Sequence, residues 1–193
     1  KKKIFYFDYE LDYVRLTKVD SYKNLGVVIT SDLKWNKHVD YVTKKATKKL
    51  WYLRRKLYRT PPSVKLVAYK ALVRPTLQYA SEVWDPWQAT LSNELEKVQS
   101  LAVRTIFSDF RTTTSVTELK KQADMQPLKK RRICQRLKLF FQIYNHLLKI
   151  DSSKYVTPKS HRSERLHHPK VLEPIHARIN IFKQSFFVQA IDS

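Results

Sequence analysis

A single glycine, Gly26, occurs in this chain of 193 residues, whereas average usage of about 7% would give roughly 13. Phosphate-cradling loops, dinucleotide-binding fingerprints and nucleophile elbows each need two or more glycines, because the backbone there turns sharply or approaches a ligand closely. The sequence therefore excludes P-loop enzymes, Rossmann-type dinucleotide-binding enzymes and α/β-hydrolases.

Positive charge dominates the composition. The chain has 38 Lys and Arg against 17 Asp and Glu, a net charge of +21, and its 42% hydrophobic residues are enough for a packed core. Such an excess predicts a polyanionic partner, most often nucleic acid.

Cys134 is the one cysteine, so we expect no disulfide within the chain and a reducing location, nucleus or cytoplasm. No apolar run approaches the length of a membrane span, so no membrane-spanning helix is expected.

Strand-forming residues are concentrated near the start. Four of the six residues at 4–9 are aromatic, and apolar residues recur over 11–19 and 25–29. These patterns predict three short strands. Gly26 would then lie inside the third strand, where a glycine marks either a close backbone approach or a bulge.

From Trp35 onward the apolar period changes from two to 3.6, which predicts helices. One face of the first helix, over 35–59, carries Trp35, Val39, Val42, Ala46, Leu50, Leu53 and Leu57. Further helices are predicted from 61, with Thr60 as cap, and over 76–84. Another is predicted over 92–107, with Asn93 and Glu96 as a capping box. Two more are predicted, one after a second capping box formed by Ser115 and Glu118 and one over 127–148. The last has a predicted apolar seam of Ile133, Leu137, Phe140, Tyr144 and Leu147. Pro75 is expected to kink or end its helix.

The predicted fold is mainly α, with a small N-terminal β element, about five helices and a loosely ordered tail. Residues 151–174 have the composition of an irregular arm. The apolar stretch 179–191 is expected to dock back onto the helices.

The helix over 35–59 carries the clearest candidate interface. Its basic residues are uninterrupted by any acid after position 44 and alternate with Trp51, Tyr52 and Tyr58. Lysine and arginine follow phosphates, and aromatic rings stack on bases. The alternative is a solvated helical face, but like charges at i,i+4 destabilise a helix. The candidate nucleic-acid-binding residues here are Lys44, Lys45, Lys48, Lys49, Arg54, Arg55 and Arg59.

A second basic cluster opens the helix predicted over 127–148. It consists of Lys129, Lys130, Arg131 and Arg132, with Arg136 and Lys138 further along. Positive charge opposes the dipole at a helix N-terminus, which favours an anion-facing role. The alternatives are a nuclear-import signal, a basic amphipathic helix for a membrane surface or calmodulin, and an ordinary solvated helix start.

Metal sites are not expected in this chain. The histidines of the tail are irregularly spaced and far in sequence from Cys134, which argues against structural zinc. Asp8, Glu10 and Asp12 alternate on a predicted strand and could share one face, but charge at an edge strand also prevents aggregation.

Several segments, taken in order, resemble a known family. They are Tyr22-Lys23-Asn24-Leu25-Gly26-Val27-Val28-Ile29, Ser31-Asp32-Leu33-Lys34-Trp35, Pro61-Pro62-Ser63-Val64-Lys65, Ala68-Tyr69-Lys70-Ala71-Leu72-Val73-Arg74-Pro75 and Leu77-Gln78-Tyr79-Ala80-Ser81-Glu82-Val83-Trp84-Asp85-Pro86. The sequence is similar to the region after the catalytic palm in reverse transcriptases of non-LTR retrotransposons, the jockey and CR1 type of LINE elements. The similarity covers residues 20–150 best.

The resemblance implies roles for these segments. Leu25, Gly26 and Val27 match the primer grip, a β-hairpin that holds the primer end. The implied divisions are the end of the palm with the primer grip (1–30), a thumb-like helical bundle (31–110), a basic C-terminal helical region (111–150) and an irregular tail (151–193). The implied partners are RNA, DNA or an RNA–DNA hybrid, together with the palm, fingers and endonuclease of the parent polyprotein.

The family's catalytic aspartates lie upstream of the matched region. The resemblance therefore implies a fragment of an RNA-directed DNA polymerase that binds template–primer and is inactive alone, without cofactor, because Mg²⁺ belongs to the parent enzyme's carboxylates. The alternatives are a stand-alone helical RNA-binding or adaptor module and a decayed transposon product with no function.

Overall fold

The computed structural model describes residues 9–159 and 171–192. This part of the chain is mainly helical and begins with two short antiparallel hairpins, which confirms the predicted fold class. Strands β1 (Glu10–Leu11) and β2 (Val14–Arg15) form the first hairpin, and β3 (Ser21–Asn24) and β4 (Val27–Thr30) form the second. Of the strand predicted over 4–9, only the last residue is described.

Both hairpins turn through two residues that have positive φ. These are Asp12 and Tyr13, at 50° and 64°, and Leu25 and Gly26, at 46° and 88°. Paired positive φ values are typical of the type I′ turn, whose twist matches that of the flanking strands. The predictions of continuous strands over 11–19 and 25–29 were therefore wrong, and Gly26 lies in a turn and not within a strand.

The first helix, α1 (Asn36–Lys56), supplies the centre of the core. Its apolar face is buried as predicted, with Val39 and Ala46 fully inaccessible. This face packs against α5 (Ala89–Phe107), whose Leu95 and Ala102 are also inaccessible.

A continuous helical stretch follows α1. It comprises α2 (Pro62–Ala68), a π-helical segment (Tyr69–Val73) and α3 (Arg74–Gln78). The Arg74 N–H bonds to the Tyr69 carbonyl oxygen, five residues earlier. This wider winding ends at Val73, two residues before Pro75, which has no N–H to donate. Pro75 lies inside α3, which continues to Gln78. The helical stretch therefore does not end at Pro75.

The break comes at Ala80, which has left-handed geometry with φ of 52° and precedes the short α4 (Ser81–Trp84). Trp84 is fully buried. The predicted Thr60 cap was wrong, because the Thr60 hydroxyl donates to the Leu57 carbonyl oxygen and closes α1 instead.

The remaining helices are α6 (Val116–Gln122), α7 (Leu128–Tyr144), α8 (Asn180–Lys183) and α9 (Phe186–Ile191), with a 3₁₀ turn at Ser152–Lys154. The Ser115 cap of α6 is confirmed, since its hydroxyl accepts from the Glu118 N–H.

The capping box predicted at Asn93 and Glu96 was wrong, because α5 begins earlier, at Ala89. Glu96 lies inside α5 and its carboxylate accepts from the Lys129 N–H, at the start of α7.

The buried face of α7 differs from the predicted seam. Leu128, Arg132, Arg136 and Ile143 are buried, whereas Leu137 and Leu147 of the predicted seam are exposed. The prediction counted only apolar residues, and the structure gives two arginines inward positions.

The segment after α7 returns to it, as predicted. Within α9, Phe187 stacks on Tyr155 with ring centroids 4.4 Å apart and meets Phe140 of α7 edge-on at 6.5 Å. These aromatic contacts hold the C-terminal helices against α7.

Candidate nucleic-acid interface

A groove runs along one side of α1, between the tip of the second hairpin and α3. We call it the α1 groove. Its first depression has a volume of about 370 Å³ and is lined by Leu25, Gly26, His38, Tyr41, Val42, Lys45, Pro75, Thr76 and Tyr79. A second depression of about 310 Å³ is lined by Lys48, Lys49, Tyr52, Leu53 and Leu72.

Eight residues of α1 line the two depressions, and four of them form a regular series. Tyr41, Lys45, Lys48 and Tyr52 are spaced by four, three and four residues. This spacing places them on one face of the helix. Two phenol rings thus flank two ammonium groups along a single stripe. The sequence contains this spacing, but the predicted binding residues did not include Tyr41.

The hairpin tip is fixed at the mouth of the groove by α3. The Tyr79 hydroxyl donates a hydrogen bond of 3.1 Å to the Leu25 carbonyl oxygen. Leu25 itself is 82% exposed. Val27, the third residue matched to the primer grip, is buried in the core, so only Leu25 and Gly26 reach the groove.

Lysines surround the phenol at the hairpin end of the groove. Lys23 Nζ donates to the Tyr41 hydroxyl at 2.9 Å and lies 4.4 Å from the ring centroid, and Lys45 Nζ lies 5.7 Å from the same centroid. The hydrogen bond from Lys23, followed by the positive charges of Lys23 and Lys45, lowers the pKa of Tyr41 below its usual value. This end of the groove is therefore electropositive.

His38 closes the floor of the first depression. Its Nδ1 accepts from the Val28 N–H at 3.1 Å, and its ring meets Trp84 edge-on at 4.7 Å. Burial lowers the pKa of His38 to about 4. The side chain is therefore neutral near pH 7 and joins β4 to α1.

Three of the predicted basic residues of α1 contact other groups of the protein. Lys44 pairs with Asp40 at 2.7 Å. Lys49 donates to backbone and hydroxyl oxygens of the π-helical segment and α3. The Arg54 guanidinium lies 4.9 Å from the Trp51 ring and 4.4 Å from the Phe110 ring. The exposed members of the predicted set are Lys44, Lys45, Lys48, Arg54, Arg55 and Arg59.

The second basic cluster divides between surface and interior. Lys129 and Lys130 are exposed and Arg131 is half-buried. Arg132 is 1% exposed, and its Nε donates to Asp85 at 2.6 Å. The interpretation of Arg132 as a surface phosphate contact was wrong, because its charge is paired in the interior.

Metal-ligating groups do not assemble among residues 9–159 and 171–192, where no three His, Cys, Asp or Glu side chains converge. Asp12 lies in a turn and not on a strand with Glu10, and Asp8 is outside the described residues. His161, His167 and His168 also lie outside them. His176 is exposed.

None of the helices in the described ranges is both long and apolar enough to cross a membrane. Comparison with protein-family models, with curated proteins and with solved structures finds no match for this chain.

Proposed function

We propose that the chain binds nucleic acid along the α1 groove, as the thumb-like part of an RNA-directed DNA polymerase of a non-LTR retrotransposon. The observation that supports this most directly is the stripe of Tyr41, Lys45, Lys48 and Tyr52 beside the hairpin tip. The resemblance assigns that tip to the primer grip.

The chemistry of the stripe suits a phosphate backbone with accessible bases. Lys45 and Lys48 are exposed, and neither is paired with an acid among the described residues. Their flexible ammonium groups can follow phosphates in several geometries. Tyr52 is 53% exposed and Tyr79 is 59% exposed, so each offers a ring face on which a base can stack.

The proposal concerns binding and not polymerisation. Two-metal phosphoryl transfer requires clustered carboxylates to hold Mg²⁺, and the resemblance places these in the upstream palm. We therefore expect an RNA–DNA hybrid, RNA or DNA to bind this chain without being extended by it. The palm, fingers and endonuclease of the parent polyprotein would act with it, in the nucleus or cytoplasm.

The test is binding of a labelled RNA–DNA primer–template across a salt series, with duplex DNA and heparin as competitors. The Lys45→Ala/Lys48→Ala variant removes two groove charges, and Lys121→Ala/Lys154→Ala removes two exposed charges elsewhere. We expect the groove variant to reduce the slope of log affinity against log salt by about 2, and the matched variant to leave it near the wild-type value. Equal effects of the two variants would show that net charge, and not the groove, drives binding.

Tyr52→Ala separates stacking from charge. We expect it to weaken single-stranded binding by about 1–3 kcal/mol without changing the salt slope. If primer–template, duplex and heparin all bind equally weakly at physiological salt, the α1 groove has no selectivity. The alternatives of an adaptor module or a decayed transposon product would then be preferred.

A further inference from the structure

An apolar ridge runs along the outer face of the helical stretch formed by α2, the π-helical segment and α3. It consists of Val64, Val67, Ala71 and Pro75, and all four side chains are exposed. Their spacing of three, four and four residues places them on one face, over about 16 Å of helix. We call these four residues the α2–α3 ridge.

The opposite face of the same helical stretch already supplies its contribution to the core. Tyr69, Val73 and Leu77 are spaced by four residues, and all three are buried. The α2–α3 ridge therefore points away from the core and adds nothing to it. A contiguous apolar face that stays exposed in the folded chain marks an interaction surface.

Positive charge borders the ridge on both sides. On one side, Lys70 and Arg74 are half-buried, and in the described part of the chain neither pairs with an acid. On the other side, Leu72 is exposed and lines the second depression of the α1 groove together with Lys48. Residues 41–81 include no Asp or Glu. The acids that would complement these basic flanks are therefore absent from the helices that form them.

The combination of an apolar face with basic flanks selects the occupant. Valine side chains form no hydrogen bond with phosphate, so a nucleic-acid backbone would leave the ridge uncovered. A second copy of this chain, with its net charge of +21, would place basic flanks against one another. Helices that bind membrane surfaces present Trp, Phe or Leu to the lipid, and the ridge contains none of these. An apolar face bordered by carboxylates matches both properties.

We propose that the α2–α3 ridge is a docking surface for an amphipathic helix of a protein partner, whose apolar face is bordered by Asp or Glu. The apolar residues of the partner helix, recurring every three or four positions, lie along the ridge. Its carboxylates reach Lys70 and Arg74 on one side and Lys48 on the other. This interaction goes beyond nucleic-acid binding in the α1 groove and does not depend on it.

The probe is a labelled amphipathic peptide of about 18 residues, since shorter isolated helices are marginal in water. Its leucines recur with helical spacing and its glutamates border them. One matched peptide has serine in place of leucine, and another has lysine in place of glutamate. Fluorescence anisotropy with the full chain at physiological salt should show binding at least tenfold tighter for the first peptide than for either matched peptide. Equal binding of the serine peptide would mean that charge alone drives the interaction, and the proposal would be wrong.

A valine pair of similar exposure separates the ridge from the rest of the surface. Val67, in the ridge, is 67% exposed, and Val83, on α4, is 63% exposed. We expect Val67→Ser to weaken binding of the leucine–glutamate peptide at least fivefold and Val83→Ser to leave it within about twofold, because only the first removes apolar contact area. Thermal unfolding of both variants confirms that they are folded. Equal affinities in the two variants would overturn the proposal.

The basic flank is tested in the same assay. Lys70→Gln/Arg74→Gln should make peptide affinity less dependent on salt, because exposed ion pairs are screened. Lys121→Gln/Arg178→Gln removes two exposed charges elsewhere and should keep the wild-type dependence. A salt dependence changed equally by both double variants would show that the flank has no specific role and would contradict the proposed contacts.

Backbone amide NMR locates the peptide without any substitution. We expect the leucine–glutamate peptide to shift the signals of Val64, Val67 and Ala71. Shifts confined to other parts of the chain would overturn the assignment of the ridge.

Nucleic acid and lipid are the competing occupants, and each is measured with the same valine variants. The probes are a single-stranded oligonucleotide and vesicles of phosphatidylserine and phosphatidylcholine. If Val67→Ser weakens binding to either of these but not to the peptide, the ridge is not a protein-docking surface. The peptide assay contains no nucleic acid, so failure of the α1 groove as a nucleic-acid interface would leave its result unaffected.

Discussion

Lys49 Nζ on α1 donates a hydrogen bond of 3.1 Å to the carbonyl oxygen of Leu72, inside the π-helical segment. The same ammonium donates to the Thr76 hydroxyl at 2.8 Å. Thr76 lines the first depression of the α1 groove and Lys49 lines the second. Lys49 therefore cross-links the two walls of the groove, and its neighbours Lys45 and Lys48 remain available for a ligand.

Replacement of Lys49 should be destabilising, unlike replacement of its neighbour. We expect Lys49→Ala to lower the free energy of unfolding by about 1–2 kcal/mol, because the Leu72 carbonyl and the Thr76 hydroxyl lose a charged donor. Lys48→Ala, on the exposed side, should change it by less than about 0.5 kcal/mol. Urea unfolding of the two variants measures the difference. Equal values would mean that Lys49 has no structural role.

The hairpin tip offers a test in which stability and binding change in opposite directions. Leu25 has φ of 46°, a left-handed conformation that disfavours leucine and that asparagine tolerates. We expect Leu25→Asn to raise the free energy of unfolding by about 0.5–1 kcal/mol. If the exposed leucine contacts nucleic acid, the same variant should bind primer–template more weakly. Unchanged affinity in a stabilised variant would remove Leu25 from the interface.

Asp85 should be essential for folding because it neutralises two arginines. Its carboxylate accepts from Arg132 Nε at 2.6 Å and Arg136 Nη1 at 3.0 Å. We expect Asp85→Asn to lower the free energy of unfolding by about 3–5 kcal/mol, since the buried charge of Arg132 loses its carboxylate partner. The control is Asp40→Asn, which breaks the exposed pair with Lys44 and should cost less than about 1 kcal/mol. Chemical denaturation of both variants at low protein concentration compares the losses.

Stability should fall in mild acid because of His38. Its pKa is about 4 in the folded protein and about 6.5 in the unfolded chain. The unfolded state therefore binds more protons between these values, so the stabilisation is complete above pH 6.5 and is lost as the pH falls towards 4. The difference corresponds to about 3 kcal/mol. Protonation also removes the Nδ1 acceptor of the Val28 N–H.

His38→Gln provides the comparison for that pH dependence. Denaturant unfolding at pH 7 and pH 4.5 should show a smaller loss for this variant than for the wild type. The exposed His176 is a matched site, and His176→Gln should keep the wild-type dependence. A wild-type loss that persists fully in His38→Gln would assign the pH dependence to other groups.

Local patterns were sufficient for the elements whose burial follows a simple period. The 3.6-residue repeat of α1 predicted the apolar part of its buried face correctly, with Trp35 and Leu57 partly buried at its ends, but it did not include the buried His38. The Ser115 cap was also predictable, since a cap is made within one turn of the chain. The net charge and the spacing of the lysines and tyrosines on α1 are likewise properties of the sequence alone.

Tertiary structure decided which charges are buried and which reach a ligand. The sequence does not distinguish Arg132 from Lys130, yet the first is buried against Asp85, 47 residues away, and the second is exposed. It also does not show that Lys49 meets Leu72. The sequence shows that a charged side chain is present and that it needs a partner if it is buried. The identity of that partner depends on which distant segments the packed core brings within hydrogen-bond distance.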